Sequence, residues 1–279
     1  MKLRDENTVK LIPIRFPTVK VGQRLAPIVI SALEHEHVSL QRGDVVAVAS
    51  KIVSTCEGRI INLEKTKVTA AARRLAKMYD IDERLTTVVL RESDEVFGGV
   101  KGFLLTLKTG ILTPNAGVDV KNAPPGAAIL WPKNPDLSAR GLLRSLERHF
   151  QTHVGVEVVD SHVTPLRLGT TGLAIGVSGF AAVRDERSNL DLYGRTIKVT
   201  QTNVADDVAA AAHLLMGEAA DRIGAVVARN ARLTRASSDG RNAKMDVRKC
   251  LIGSSLVKNS WELLASNISV CSASTNLGG

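Results

Sequence analysis

An aspartate followed directly by a serine, Asp160-Ser161, ends the apolar run Val158-Val159. Beyond the pair come a proline turn, Arg167 and a glycine-spaced apolar segment from Thr170 to Phe180. A carboxylate carried into apolar surroundings is costly unless it meets a cation, a metal or several donors. Adjacent acid and hydroxyl oxygens are the hard ligands that Mg²⁺ or Mn²⁺ takes, commonly together with substrate phosphates. The same residues also suit a strand end, with Asp160 bonding its own backbone in an Asx-turn. On these residues alone both readings stand.

Two further clusters carry polar chemistry. The turn Thr113-Pro114-Asn115-Ala116-Gly117-Val118-Asp119-Val120-Lys121-Asn122 offers amide, carboxylate and backbone groups in one place, as an ordinary turn also does. Ser50-Lys51 follows the apolar strand Val45–Ala49 and leads, past an Ile-Val pair, to Ser54-Thr55-Cys56-Glu57-Gly58-Arg59. Hydroxyls and a cation in such a loop can meet an anion; a plain strand–turn–strand fits equally well. His149 and His153 lie one helical turn apart with no third ligand nearby, which favours solvated histidines over zinc.

The elements that must position these groups read as follows. The alternating segment from Thr8 to Gly22 is strand, with Pro13 and Pro17 as edge or turn residues. Arg24 to His35 and Thr66 to Tyr79 read as helices. Thr86 to Leu90 reads as a short β-branched strand, Ser93 to Gly99 as a loop, and Phe103 to Leu112 as a hairpin about Lys108-Thr109-Gly110. A strand at Ala127–Trp131 precedes a helix from Pro135 to about His153, capped by Asp136 or Ser138. Thr196 to Thr200 reads as strand. Asn203 caps the clearest helix, which runs to about Asp221, with Asp206 and Asp207 in its first turn. Gly217 interrupts that helix at about 1 kcal/mol relative to alanine.

Composition narrows the class. The chain has 279 residues, 44% of them hydrophobic and only 3% aromatic, with a formal charge of +9. A basic chain attracts polyanions, but single-strand nucleic-acid binders need aromatic stacking platforms that are scarce here. A phosphate-bearing small molecule fits better. The longest apolar stretch, Leu173 to Val183, falls short of the roughly 20 residues that span a bilayer. Three scattered cysteines, Cys56, Cys250 and Cys271, point to a reducing cytoplasm. Residues 222–249 are rich in arginine and lysine. The tail from Ser254 is Ser- and Asn-rich around a short helix at Ser260–Ala265.

The clusters occur in an order that resembles a known family. Phe16-Pro17-Thr18-Val19-Lys20-Val21-Gly22, Gly43-Asp44, Ser54 to Arg59, Asn115-Ala116-Gly117-Val118-Asp119 with Asn122, Asp160-Ser161, Asp191 to Arg195, Ala205-Asp206-Asp207 and Leu214 to Glu218 together resemble the coenzyme F420-0:L-glutamate ligases. The resemblance runs from about Phe16 to Cys250. It implies an α+β, two-lobed mixed fold that forms an intertwined homodimer, with a ligase domain over residues 1–253 and a peripheral tail over 254–279. It implies a cytoplasmic enzyme that uses GTP to join L-glutamate to coenzyme F420-0 through an acyl phosphate, with a further γ-linked glutamate open. By motif position Asp119 and Asp160 hold one divalent ion, Mg²⁺ or Mn²⁺, and Ser161 and Glu218 a second, with K⁺ as a further ion. Asp160, Asp119 and Arg167 are the catalytic set. Phe16, Pro17, Thr18, Val19, Ser50, Lys51, Thr55, Asn122, Met216, Gly217, Glu218, Ala219, Ala220, Asp221, Arg222 and Ile223 line the GTP site.

Three positions depart from the family pattern. Thr55 stands where a lysine is common, Val163-Thr164 where Gly-Arg often follows the acid–hydroxyl pair, and Ser188 where a glycine is usual. The first two bear on the acceptor and the number of glutamates added. The alternatives are a related metal-dependent amide ligase with another acceptor or amino acid, and a non-catalytic nucleotide-binding homologue. F420-0, L-glutamate and GTP are the expected partners, with no nucleic acid and no membrane.

Overall fold

In chain order the elements are β1 (Lys10–Arg15), α1 (Leu25–His35), β2 (Val45–Ala49), α2 (Ser50–Cys56), β3 (Ile60–Asn62), α3 (Ala70–Tyr79), α4 (Glu83–Glu92), β4 (Glu95–Val100), β5 (Phe103–Lys108), β6 (Ile111–Pro114), β7 (Ala127–Ile129), α5 (Pro135–Phe150), β8 (Gly155–Val163), β9 (Thr170–Ser178), β10 (Val183–Asp185), β11 (Gln201–Asn203), α6 (Val204–Met216) and β12 (Ile223–Arg229). This is a mixed α+β chain with several small sheets. The computed structural model describes residues 8–218, 221–231, 233–234 and 243–257; Ala219, Ala220, Cys271 and the tail helix expected at Ser260–Ala265 lie outside them. By its contacts the chain divides into two units, Met1–Lys65 with Gly117–Ala243 and Thr66–Ala116 with Lys244–Gly279.

The first unit is built on a five-stranded sheet in the order β1-β12-β2-β8-β9. The β2–β8 pair is parallel and the other three pairs are antiparallel. β2 reads as a continuous apolar run because four of its five residues are buried, as a strand covered on both faces requires. Val45 and Ala47 of β2 join the apolar side of α6 (Ala205, Val208, Ala209 and Ala212) in one core.

A bulge in β9 decides how helices cover this sheet. Val158 pairs with Gly176 but Val159 with Ala174, so Ile175 is extra in β9. One extra residue flips the side-chain alternation. Gly172 therefore faces α6, where a Cβ would meet the Ala209 carbonyl oxygen at 2.1 Å, and Gly176 faces the start of α5, where a Cβ would meet Pro135 backbone at 2.4 Å. Both helices come close to β9 because neither glycine has a side chain.

The second unit pairs α3 with α4 and holds the antiparallel sheet β4-β5-β6. Lys108, buried at 7% exposure, is neutralised by Glu92 at 2.5 Å.

Several sequence expectations change. Thr86 to Leu90 belongs to α4: the Asp82 carboxylate accepts from the amides of Arg84 and Leu85, and the hydroxyls of Thr86 and Thr87 donate to carbonyls one turn back. The cap outweighs β-branched preference. Ser93 to Gly99 is not a loop but contributes most of β4, aligned against β5. Ser50 to Cys56 is helix, so β2 leads into α2 and not into a loop. The cap of α5 is Asn134, whose side chain accepts from Leu137 N, and the helix ends at Phe150; Asp136 accepts from Val177 N instead. Thr196 to Thr200 forms no strand: Thr196 makes an isolated bridge to Leu190, and β11 begins at Gln201. The Thr66–Tyr79 helix starts at Ala70 behind a Thr69 cap. Gly217, with φ +68°, ends α6 and does not interrupt it. His149 and His153 are apart in their pairing, on Glu34 and Glu147.

Candidate active site

The parallel register of β2 and β8 builds the centre of the site. Ala49 pairs with Val159, so the next residues, Ser50 and Asp160, stand side by side. The Ser50 hydroxyl donates to Asp160 Oδ1 at 2.6 Å. The second oxygen, Oδ2, accepts from the Trp131 indole Nε1 at 2.5 Å. Asp160 is therefore not in an Asx-turn at a strand end. It lies within β8, which runs on to Val163, and is held by side chains from two other segments. The ligand crevice of open α/β sheets also lies at the carboxyl ends of parallel strands.

Beneath the indole sits Gly117. It is left-handed at φ +68°, and a Cβ there would stand 2.2 Å from Trp131 Nε1. The residues before it, Asn115 and Ala116, are left-handed as well at φ 50° and 52°. The Asn-Ala-Gly turn thus lets the indole reach Asp160. Two residues on, Asp119 is bridged to Ile129, and its Oδ2 takes the Lys51 ammonium at 2.7 Å.

The opposite wall comes from the end of α6. Glu218 Oε1 accepts from the Thr170 hydroxyl and meets His213 Nε2, both at 2.9 Å. Its Oε2 accepts from Lys121 Nζ at 2.8 Å. Lys121 in turn donates its backbone N–H to Asp119 Oδ1 at 2.7 Å. Asp119, Asp160 and Glu218, far apart in the chain, are linked through Ser50, Lys51 and Lys121.

Of these groups Ser50, Lys51, Asp160, His213 and Glu218 line a cavity of about 370 Å³, at the lower end of the usual range for small-molecule sites; Asp119 is not in its lining and meets it through Lys51. Of the sequence-assigned residues, Phe16, Pro17, Thr18, Val19, Ser50, Lys51, Thr55, Asn122, Asp160, Ser161, Met216, Gly217, Glu218, Arg222 and Ile223 line it. Asp221 lies against Gly217, its Oδ2 2.1 Å from where a Cβ would be. The Thr55 hydroxyl donates to the Lys51 carbonyl, within α2. β8 continues past Ser161, and Arg167 lies on the exposed turn after Val163, outside the cavity lining; Lys51 and Lys121 are the cations that meet Asp119 and Glu218. Trp131, Lys121, His213 and Thr170 are site residues that the sequence reading did not assign.

The electrostatics separate the acids. Burial raises the Asp160 carboxyl above its ordinary range against the opposing Ser50 and Trp131 hydrogen bonds and the Lys51 charge, and the Asp119 charge adds to the rise. Burial also pushes on Glu218, but Lys121, His213 and Thr170 outweigh it and hold its carboxyl at about 2. Among the described residues no three His, Cys, Asp or Glu side chains converge as a preformed metal cluster. The donor types still fit a hard divalent cation, since Asp119, Asp160, Ser161 and Glu218 offer only oxygens and phosphate oxygens commonly complete such shells.

The mixed sheet carries at its strand ends a small-molecule-sized cavity lined by two acids, Asp160 and Glu218, and two cations, Lys51 and Arg222. Residues 13–230 match the family model described as F420-0:Gamma-glutamyl ligase, and the chain belongs to that family. It is 38% identical over 224 residues to the coenzyme F420:L-glutamate ligase of Methanopyrus kandleri, covering 80% of this chain and 87% of that one. It is 36% identical over 226 residues to the protein of the same name from Methanothermobacter thermautotrophicus, covering 81% and 90%. With that of Archaeoglobus fulgidus it shares 37% over 248 residues, covering 87% and 98%.

Proposed function

We propose that this protein joins L-glutamate to coenzyme F420-0 with GTP as co-substrate. The observation that supports this most is a cavity lined by Asp160 and Glu218, to which Asp119 is tied through Lys51 and Lys121, in a chain of the ligase family. The substrate carboxylate attacks the γ-phosphorus of GTP, the bond to the β-phosphate breaks, and GDP leaves. The glutamate amine then attacks the acyl phosphate carbon, loses a proton, and displaces inorganic phosphate to form the amide. Lys51 and Arg222 supply charge for the phosphates, and Phe16, Pro17 and Met216 supply apolar wall. Asp119 and Asp160 would hold one Mg²⁺ or Mn²⁺, Ser161 and Glu218 a second, with K⁺ as a further ion. Such ions neutralise charge on phosphate oxygens during phosphoryl transfer.

A homodimer in the cytoplasm completes the reading. Leu166, Leu168 and Leu192 are fully exposed in the single chain, which accords with apolar surface covered by a second copy. The described cysteines, Cys56 and Cys250, are free thiols, and among the described residues no helix is long and apolar enough to cross a membrane. The test is to mix protein, GTP, Mn²⁺, L-glutamate and F420-0 and follow GDP and the glutamylated product by mass. Product formed in step with GDP is expected, and no product from authentic substrates overturns the assignment.

A further inference from the structure

Lys121 is tied to two of the acids at once. Its backbone N–H binds Asp119 Oδ1 at 2.7 Å and its ammonium binds Glu218 Oε2 at 2.8 Å, across 97 residues of chain. The next residue, Asn122, is left-handed at φ 59° and lines the cavity. The Lys121 side chain is 55% exposed, so it has room to swing away from Glu218. Glu218 has both oxygens engaged, Oε1 by Thr170 and His213 and Oε2 by Lys121. Of these three partners only Lys121 brings a fixed positive charge.

We infer that Lys121 is an exchangeable counter-ion of the acid cluster: its ammonium neutralises Glu218 before a divalent cation binds, and moves off Glu218 when one does. The inference rests on the metal reading of the proposed function. A fixed cation on Glu218 competes with a divalent ion for the same oxygen and repels it, which weakens metal binding in the absence of nucleotide. Once displaced, the ammonium stays beside Asn122 at the cavity wall, where a triphosphate meets it as an added positive charge. Metal and nucleotide binding are thereby coupled, with Lys121 opposing the first alone and favouring both together. The same coupling must appear from either side, because binding linkage is reciprocal.

The test is an electron paramagnetic resonance titration of free Mn²⁺ against the full chain, with and without GTP. Lys121→Met is expected to tighten Mn²⁺ binding about tenfold without GTP and to weaken GTP binding about tenfold with Mn²⁺ present. Lys121→Arg retains the charge and is expected to keep the wild-type Mn²⁺ affinity. A lysine that merely braced the turn would, on removal, weaken both ligands. Unchanged or weaker Mn²⁺ binding by Lys121→Met, in a protein whose wild type binds Mn²⁺, overturns this inference alone. A wild type that binds no Mn²⁺ even with GTP overturns the metal reading and this inference with it.

Discussion

The indole of Trp131 and the carboxylate of Asp160 meet at 2.5 Å across 29 residues of sequence. Ser50 holds the other oxygen, so the acid that the proposed chemistry needs most is fixed in direction by two donors. A carboxylate in partly buried surroundings keeps its charge only through such partners.

Removing the indole donor tests that fixation. Trp131→Phe keeps an aromatic body and deletes the N–H. A hydrogen bond to a charged group is worth about 1.5–3 kcal/mol, so kcat for ligation is expected to fall about 10- to 100-fold. With the donor gone, the Asp160 carboxyl rises further, and the acid limb of the pH–rate profile moves to higher pH. A profile that stays in place with undiminished kcat would show that the contact is idle.

Gly117→Ala reaches the same bond from below. A Cβ 2.2 Å from Trp131 Nε1 must push the indole off Asp160, and overpacking of this kind costs about 1–3 kcal/mol. Its left-handed φ of +68° adds strain. In a double-mutant cycle on kcat, Gly117→Ala and Trp131→Phe should be strongly non-additive, since both remove one contact. Additive losses would mean that the glycine serves only its turn.

What the sequence made legible follows the reach of each interaction. The apolar run of β2 and the cap of α6 are local: β2 stands where its apolar run places it, and α6 starts behind Asn203 as expected but ends at Met216, short of Asp221. Asp160-Ser161 was singled out by its own chemistry. The Thr86–Leu90 helix was missed because its capping acid, Asp82, lies outside the β-branched run that dominated the reading. Nothing local marks Trp131 and Lys121 as partners of the acids, because Asp160 and Glu218 lie 29 and 97 residues away and meet them only in the folded chain. Arg167 stands on the exposed turn beyond β8, which runs three residues past Asp160.

Asp44 and Arg229 offer a stability test remote from the acids of the cavity. Asp44 is 1% exposed, and its carboxylate takes Arg229 through Nε and Nη2 as well as the Gln41 amide. Breaking a buried pair from one side leaves an uncompensated charge, at about 3–5 kcal/mol. Arg229→Met should lower the unfolding free energy from urea titration by that amount, and Asp44→Asn with Arg229→Met should recover part of it. A double variant as weak as the sum of the singles would refute the pairing account.

Glu157 provides the strongest pH dependence. Its side chain is 0% exposed, and neither carboxyl oxygen has a hydrogen-bond partner among the described residues. Its neighbours in register are Ala47 and Val177, both in the apolar core with α6. Burial, with the Asp206 charge added, raises its carboxyl well above the ordinary 4.5. The folded chain therefore binds a proton that the unfolded chain releases. Its stability is whole below the unfolded pKa and is lost as pH rises, by about 1.4 kcal/mol per pH unit until the folded group ionises. Glu157→Gln cannot ionise and should flatten this fall in urea midpoint between pH 5 and 8. A residual slope of the same sign is expected from Asp206, which burial also raises. Glu157→Met should exceed wild type in stability at pH 8, since an apolar side chain of similar length suits an apolar core better than an ionisable one. Parallel pH profiles for wild type and Glu157→Gln would mean that the buried carboxyl has a partner that neutralises it.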